Sequence, residues 1–211
     1  RKTDLGLTCV ATSSVTALQA QDLGLHLSTL EETPHLNLVV DGADEFDPER
    51  NLIKGAGGAL LQEKLVAVAS DQMVVITDPS KDKAQLGAFP LSVEIVRFGW
   101  EGTAGRIQEA LNVAPVLRMD GAAPFVTDEG NYIVDLAFGH IDDARRVHGT
   151  LKAITGVVET GLFIGLANQI VIGDPSGTAQ LVEDGRTTQA WPEDVTPDAL
   201  AELLVKADRN G

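Results

Sequence analysis

Short apolar runs alternate with helical periodicity through the first third of the chain. Leu7–Val10 reads as a strand, and Ser13–Leu23 as a helix with apolar Val15, Leu18 and Leu23 behind a Ser13 or Ser14 cap. His26 falls in a further strand-like stretch, GLHL. Leu36–Val40 is almost continuously apolar, as expected of a strand buried in a parallel sheet. Gly58–Ala69 reads as a helix and Met73–Thr77 as another buried strand. The order β-α-β-α-β predicts an open α/β sheet.

The pattern changes after Pro90. Ser92–Phe98 reads as a strand and Thr103–Leu111 as a helix. Val116–Met119 and Asn131–Leu136 are strands around the turn TDEGN, Asp142–Ile154 is a helix, and Val157–Glu159 a last strand. That order, β-α-β-β-α-β, is the split-βαβ arrangement of a ferredoxin-like unit. The run NQIVIG supplies one more strand, returning to the first sheet. The expected organisation is a Rossmann-like, mostly parallel domain from residues 1–91 plus about 168–183. A ferredoxin-like α+β domain occupies 92–167, and a tail covers 184–211. The tail carries a helix capped by Thr196 with Pro197 at its first position.

The formal net charge of −15 argues against nucleic acid and anionic lipid as partners. An anionic ligand would need a local positive pocket built against that field. The lone cysteine, Cys9, excludes an internal disulfide and fits a reducing cytosol. No stretch of 18 residues is uniformly apolar, since Asn168 and Gln169 interrupt the nearest one.

Candidate chemistry gathers between Val39 and Lys81. Asp41 stands at the carboxyl end of an apolar strand, the edge where open α/β sheets bind ligands. Asp44, Glu45 and Asp47 follow; they read as oxygen ligands for a divalent metal or, more plainly, as a polar turn. The glycines of KGAGGALLQEK fit neither a Walker loop nor a dinucleotide fingerprint. They read equally as an anion cradle before a helix and as a packing turn. Glu63 shares its helical face with Ala59, Val66 and Ala67, which would strip its carboxylate of water, raise its pKa and suit it to act as a general base. The plainer reading is an exposed helix glutamate beside Lys64. Asp78 marks a second strand exit, and Lys81 in the following turn can counter an anion or simply face solvent. His26, His35, His140 and His148 lack metal spacing. Cys9, Trp100 and Trp191 read as packing residues.

Taken in order, VDGADE, IKGAGGALLQEK, TDPSK, FPLSVEIV, TDEGNYIVDL, ITGVVETGLF and IVIGDPSG resemble type A ribose-5-phosphate isomerases over roughly residues 9–183. The resemblance implies a cofactor-free, metal-free interconversion of ribose 5-phosphate and ribulose 5-phosphate. It also implies a cytoplasmic homodimer whose small-molecule partner is a sugar phosphate. It places the proton-transferring glutamate on Glu63, and substrate contacts on Asp41, Gly42, Ala43 and Asp44. It places the KGxG segment on Lys54, Gly55, Ala56 and Gly57, and the phosphate-side lysine on Lys81. In that reading Asp41 moves the ring-opening proton, and Lys54 with the glycine loop stabilises the enediolate.

Two departures accompany the resemblance. The family's Gly-Thr-Gly-Ser-type phosphate loop has no counterpart, so a segment before Arg1 is expected. The tail from Glu183 is extra. Two competing readings are a sugar-phosphate sensor domain of a transcription regulator, which would not need Glu63 or Lys54, and a metal-dependent phosphoryl transferase built on the aspartates.

Overall fold

The structure is a computed structural model. It describes residues 6–174, 177, 179–183 and the backbone of 186–190. The chain opens with β1 (Thr8–Val10), α1 (Ser14–Asp22) and β2 (His26–Ser28). The Ser13 hydroxyl accepts the Thr16 N–H and caps α1, and β1 and β2 pair in parallel as a small sheet of their own. Then come β3 (Leu36–Asp41), β4 (Glu45–Phe46), β5 (Leu52–Ile53), α2 (Leu60–Val68) and β6 (Ser70–Thr77). β6 runs parallel to β3, with Asp41 opposite Val75, so both strands deliver their carboxyl ends to the same edge.

The helix expected from Gly58 begins at Leu60, because Gly58 has φ +81°, outside the helical region. No other residue fits there, since a Cβ at Gly58 would lie 2.4 Å from the Phe125 ring. Along α2 the structure buries Leu60, Val66 and Ala67 and leaves Leu65 and Val68 exposed, so Glu63 lies toward the interior.

The second unit holds β7 (Leu91–Ile95), α3 (Trp100–Leu111), β8 (Pro115–Leu117), β9 (Met119–Asp120), β10 (Ala123–Pro124), β11 (Tyr132–Leu136), α4 (Ala144–Lys152) and β12 (Val157–Thr160). Its main sheet has the order β12-β7-β11-β8, antiparallel throughout, which is the ferredoxin-like arrangement. β7 stops at Ile95 rather than Phe98, and the left-handed Gly99 starts α3 at Trp100, three residues before the expected Thr103. The single strand expected over Val116–Met119 is broken at Arg118, where the chain turns into the β9–β10 hairpin.

β13 (Leu162–Phe163) leads back to β14 (Gln169–Gly173), which pairs in parallel with β6. β15 (Ala179–Glu183) and β16 (Arg186–Ala190) extend the sheet antiparallel, giving β16-β15-β14-β6-β3. Arg186–Ala190, read in the sequence as tail, is thus an edge strand. The helix expected from Thr196 and the packing role given to Trp191 lie outside the described residues.

Two apolar clusters underlie the sheets. One joins Val39, Met73, Val75, Ile170 and Ile172 to Val66, Ala67 and Phe163; the other joins Leu91, Val93, Val134 and Leu136 to Ile107, Val147 and Leu151. Between them lies a three-stranded sheet, β13-β5-β4. Gly161 ties it together: its N–H donates to Ser92 O (2.7 Å) and its carbonyl accepts from Lys54 N (2.8 Å). A Cβ at Gly161 would lie 2.1 Å from Lys54 O, so only glycine fits the crossing.

Candidate active site

The site is assembled where β3 and β5 end and α2 begins. Asp41 closes β3 and accepts the Gly42 N–H on Oδ1 at 2.7 Å. Lys54 follows β5 directly and its side chain is only 4% exposed. Its Nζ donates to Gly42 O at 2.6 Å and lies 3.0 Å from Asp41 Oδ2 and 3.4 Å from Glu63 Oε2. The ammonium also sits over the Phe163 ring, 5.6 Å from its centroid. A buried ammonium needs such partners to offset its lost hydration. Here two carboxylates face one cation.

Asp41 Oδ2 and Glu63 Oε2 are both shut off from solvent. Neither makes a hydrogen bond of good geometry, so Nζ meets them only as ion-pair contacts. Burial pushes the Glu63 carboxyl above the usual glutamate range. The Lys54 charge pulls the other way, and the charges of Asp41 and Asp44 add to the rise. Glu63 therefore holds a proton more readily than an ordinary glutamate.

The glycine loop forms the open side. Ala56 and Gly57 are exposed, while Gly55 and Gly58 are buried. Asp44 anchors the loop: its N–H donates to Ile53 O at 2.8 Å and its Oδ2 accepts the Ala56 N–H at 3.0 Å. Gly42 contributes its carbonyl to Lys54, and Ala43 packs on the larger sheet's core. Glu45 and Asp47 are structural. Glu45 is buried and accepts the N–H groups of Gly87 and Phe89, and Asp47 accepts those of Glu49 and Asn51. Among the described residues no group of three or more His, Cys, Asp or Glu side chains is placed to hold a metal ion.

Lys81 stands apart. It ends a single 3-10 turn, Pro79–Lys81, past the carboxyl end of β6, with Asp78 capping the turn by accepting the Ser80 N–H. It makes no hydrogen bond or ion pair with Asp41, Lys54 or Glu63. The structure thus brings Asp41, Lys54, Glu63, Asp44 and the Gly55–Gly57 loop together, and leaves Lys81 on the same sheet edge without contact to them.

Several contributors escaped the sequence reading. Phe163 lies beneath the Lys54 ammonium. Arg118 donates through Nη1 to Gly55 O (2.7 Å) and Ala56 O (3.2 Å). Asp135 and Ser92 hold Arg118 in turn. A charged residue inside an apolar strand pattern, as in PVLRMD and YIVDL, was the available signal.

Lys64, beside Glu63 in sequence, points elsewhere. Its three donor contacts are Glu159 Oε1, Thr160 O and Leu162 O, at 2.7–2.9 Å. A hollow of about 410 Å³ adjoins it, lined also by Arg145, His148 and Leu162.

The family model described as ribose 5-phosphate isomerase A (phosphoriboisomerase A) matches residues 8–177. The ribose-5-phosphate isomerase A of Dinoroseobacter shibae is 55% identical over 197 residues, covering 90% of this chain and 76% of that protein. Among solved structures, ribose 5-phosphate isomerase from Plasmodium falciparum superposes with a TM-score of 0.79 at 36% identity, covering 88% of this chain and 79% of that one. A D-ribose-5-phosphate isomerase in complex with phospho-erythronic acid matches with a TM-score of 0.77 at 30% identity, over 87% of this chain and 78% of its own. The family match spans every residue from Asp41 to Lys81 and the whole ferredoxin-like unit, and the chain belongs to the ribose 5-phosphate isomerase A family.

Proposed function

We propose that this chain interconverts D-ribose 5-phosphate and D-ribulose 5-phosphate through an enediolate, with Glu63 moving the proton. The observation that carries the reading is a buried ammonium held between two solvent-shielded carboxylate oxygens, one of them on a glutamate of raised pKa. Aldose–ketose isomerisation needs a base able to take a carbon-bound proton and return it one carbon away. The Glu63 carboxylate takes the C2 proton, the C–H electron pair becomes the C1–C2 double bond, and negative charge moves onto O1. The same carboxyl then delivers its proton to C1 while the O2 hydroxyl proton passes to O1, leaving the ketone at C2. Lys54 and the open Gly57 N–H of the glycine loop stabilise the intermediate charge. Asp41, 3.0 Å from Lys54, moves the proton between O1 and the ring oxygen when the furanose opens. Asp44 has one oxygen on the Ala56 N–H and the other available for a substrate hydroxyl.

Lys81, past the neighbouring strand exit, is our candidate for the phosphate, and Gly42, Ala43 and the Gly55–Gly57 backbone line the sugar. A relative's complex with phospho-erythronic acid supports this reading, since a sugar acid carries its carboxylate where the enediolate charge would develop. We read the two cores as two domains, 1–91 with about 168–183, and 92–167, supported by their separate apolar clusters. We also infer a cytoplasmic homodimer, in line with the single cysteine; sedimentation of the purified protein tests the assembly.

The test is turnover of ribose 5-phosphate followed as ketose formation, with and without chelator. Activity should be unaffected by chelator. Glu63→Gln should bind substrate and scarcely convert it. Turnover in that variant at the wild-type rate would remove Glu63 from the mechanism.

A further inference from the structure

We infer that Arg118 is a positioning residue for the isomerisation, acting as the brace that sets the Gly55–Gly57 loop so that the Ala56 N–H holds Asp44 and the Gly57 N–H faces the reacting oxygens. The inference rests on the isomerase reading above and adds a residue outside the Asp41–Lys81 stretch. Arg118 sits at the break between β8 and β9, with its backbone N–H on Ile133 O and its carbonyl accepting from Phe125 N. That corner fixes where its side chain starts.

The guanidinium is then held on two sides. Nε donates to Asp135 Oδ2 at 2.9 Å, and Nη2 donates to Asp135 Oδ1 and, at 2.7 Å, to Ser92 Oγ. The fork is thus bidentate on a carboxylate, the geometry that makes arginine more rigid than lysine. Asp135 belongs to β11 and Ser92 to β7, so the support comes from the ferredoxin-like sheet. The remaining nitrogen, Nη1, reaches out to the carbonyls of Gly55 and Ala56.

Peptide planarity gives those two contacts a consequence. A trans peptide points its C=O and N–H in opposite directions. With the Gly55 carbonyl taken by Arg118, the Ala56 N–H must emerge on the other side, and it does so toward Asp44 Oδ2. With the Ala56 carbonyl taken by the same nitrogen, the Gly57 N–H must emerge on that same far side. It has no hydrogen-bond acceptor among the described residues, and Gly57 is exposed. The Ala56 N–H is already taken by Asp44, so the Gly57 N–H is the donor left on that side for a developing oxyanion. Asp44 stands three residues after Asp41, with its N–H on Ile53 O directly before Lys54, so that side is the site side. Gly55 takes φ +116°, and a Cβ there would sit 2.8 Å from Ser92 Cβ, so the loop can lie against the brace only as glycine.

The experiment uses the full chain and two variants, Arg118→Ala and Arg118→Lys, with phospho-erythronic acid as the enediolate-like probe. Loss of an aimed donor at a developing oxyanion lowers turnover far more than substrate binding. The expected result is a fall in kcat of roughly 30–100-fold in Arg118→Ala, with KM changed less than about threefold. Affinity for the sugar acid should fall by a factor close to that in kcat. The acid limb of the pH profile, set by Glu63, should stay in place. Arg118→Lys keeps the charge and a partner for Asp135, but has no fork, so it should fold like the parent and still show the kcat loss. Added guanidinium ion should restore part of the turnover of Arg118→Ala.

Two outcomes overturn the inference. One is a kcat and sugar-acid affinity within about threefold of the parent in both variants. The other is a loss spread equally over KM and kcat that guanidinium does not relieve. Failure of the isomerase reading looks different: the parent protein itself would not form ketose, or Glu63→Gln would turn over normally.

Discussion

Two lysines lie over the ring of Phe163, Lys54 at 5.6 Å and Lys64 at 4.8 Å from its centroid. Each faces a glutamate, yet the two pairs are built to opposite ends. Lys64 is fully committed, with Glu159 and two backbone carbonyls on its ammonium. Burial alone would raise the Glu159 carboxyl, but hydrogen bonds from Lys152 and Lys64 outweigh it and hold that carboxyl at about 2. Lys54 has a single backbone carbonyl and shares its charge between two carboxylates, at 3.0 Å from Asp41 and 3.4 Å from Glu63, and burial wins at Glu63. The second pair is locked for stability. The first retains unmet electrostatic capacity, which a substrate with developing charge can use. Closeness of a lysine to a glutamate therefore says little about function; the number of hydrogen bonds already satisfied says more.

Exchanging the glutamates is the most direct way to break this contrast. Glu63→Gln should lower kcat roughly a thousandfold with the fold intact, as expected for loss of a general base. Glu159→Gln should leave kcat nearly unchanged. It should instead lower stability, by on the order of 2 kcal/mol above pH 5 once solvent screening is allowed for. The sign follows from a folded-state pKa below the ordinary value of 4.5. The stabilisation is complete above the unfolded pKa and fades as pH falls toward 2. Thermal melts of parent and variant should converge over that range.

The lysines come next. Lys54→Met should cost roughly a hundredfold in kcat, because the enediolate loses its nearest cation. It should also move the acid limb of kcat/KM upward, since the Lys54 charge holds the Glu63 pKa down. Lys64→Met should unfold more easily by roughly 3 kcal/mol, leaving Glu159 with Lys152 and the Thr160 N–H, and retain most of its turnover.

The parent's own pH profile is a milder test. Because the working base must be ionised and its pKa is raised, activity should disappear on acidification at a pH above the normal glutamate range. An acid limb at or below that range would move the base elsewhere. Phe163→Leu should give the smallest change. It removes the ring from both ammonium groups and should cost about 1–2 kcal/mol of stability, with kcat within about fivefold, judged from the modest strength of such contacts.

Much of this architecture was legible in the sequence, because it follows from local pattern. The apolar runs Leu36–Val40 and Met73–Thr77 announced parallel strands, and the order after Pro90 announced the split-βαβ sheet. Asp41 sits at a strand end and Glu63 on a helix that such patterns locate, Lys54 was placed by the family resemblance, and the structure brings the three within contact. What stayed hidden depends on distant partners. Arg118 reads as one more basic residue until Asp135 and Gly55 are beside it. Leu65 and Val68 look like a core face and are exposed, because the face of α2 that packs is set by tertiary contact rather than by hydropathy. The start of α2 shifted two residues because Gly58 adopts a backbone angle that periodicity does not encode.

Gly161 stands between the two cores. Its peptide is bonded on one side to Ser92 in the ferredoxin-like sheet and on the other to the backbone of Lys54. In mechanical terms it is a pin through two plates, with the reactive ammonium mounted beside it. Sliding the plates would strain the two hydrogen bonds that hold the backbone of that lysine in place. The two cores and the site thus share one fastening, at a residue that has no side chain.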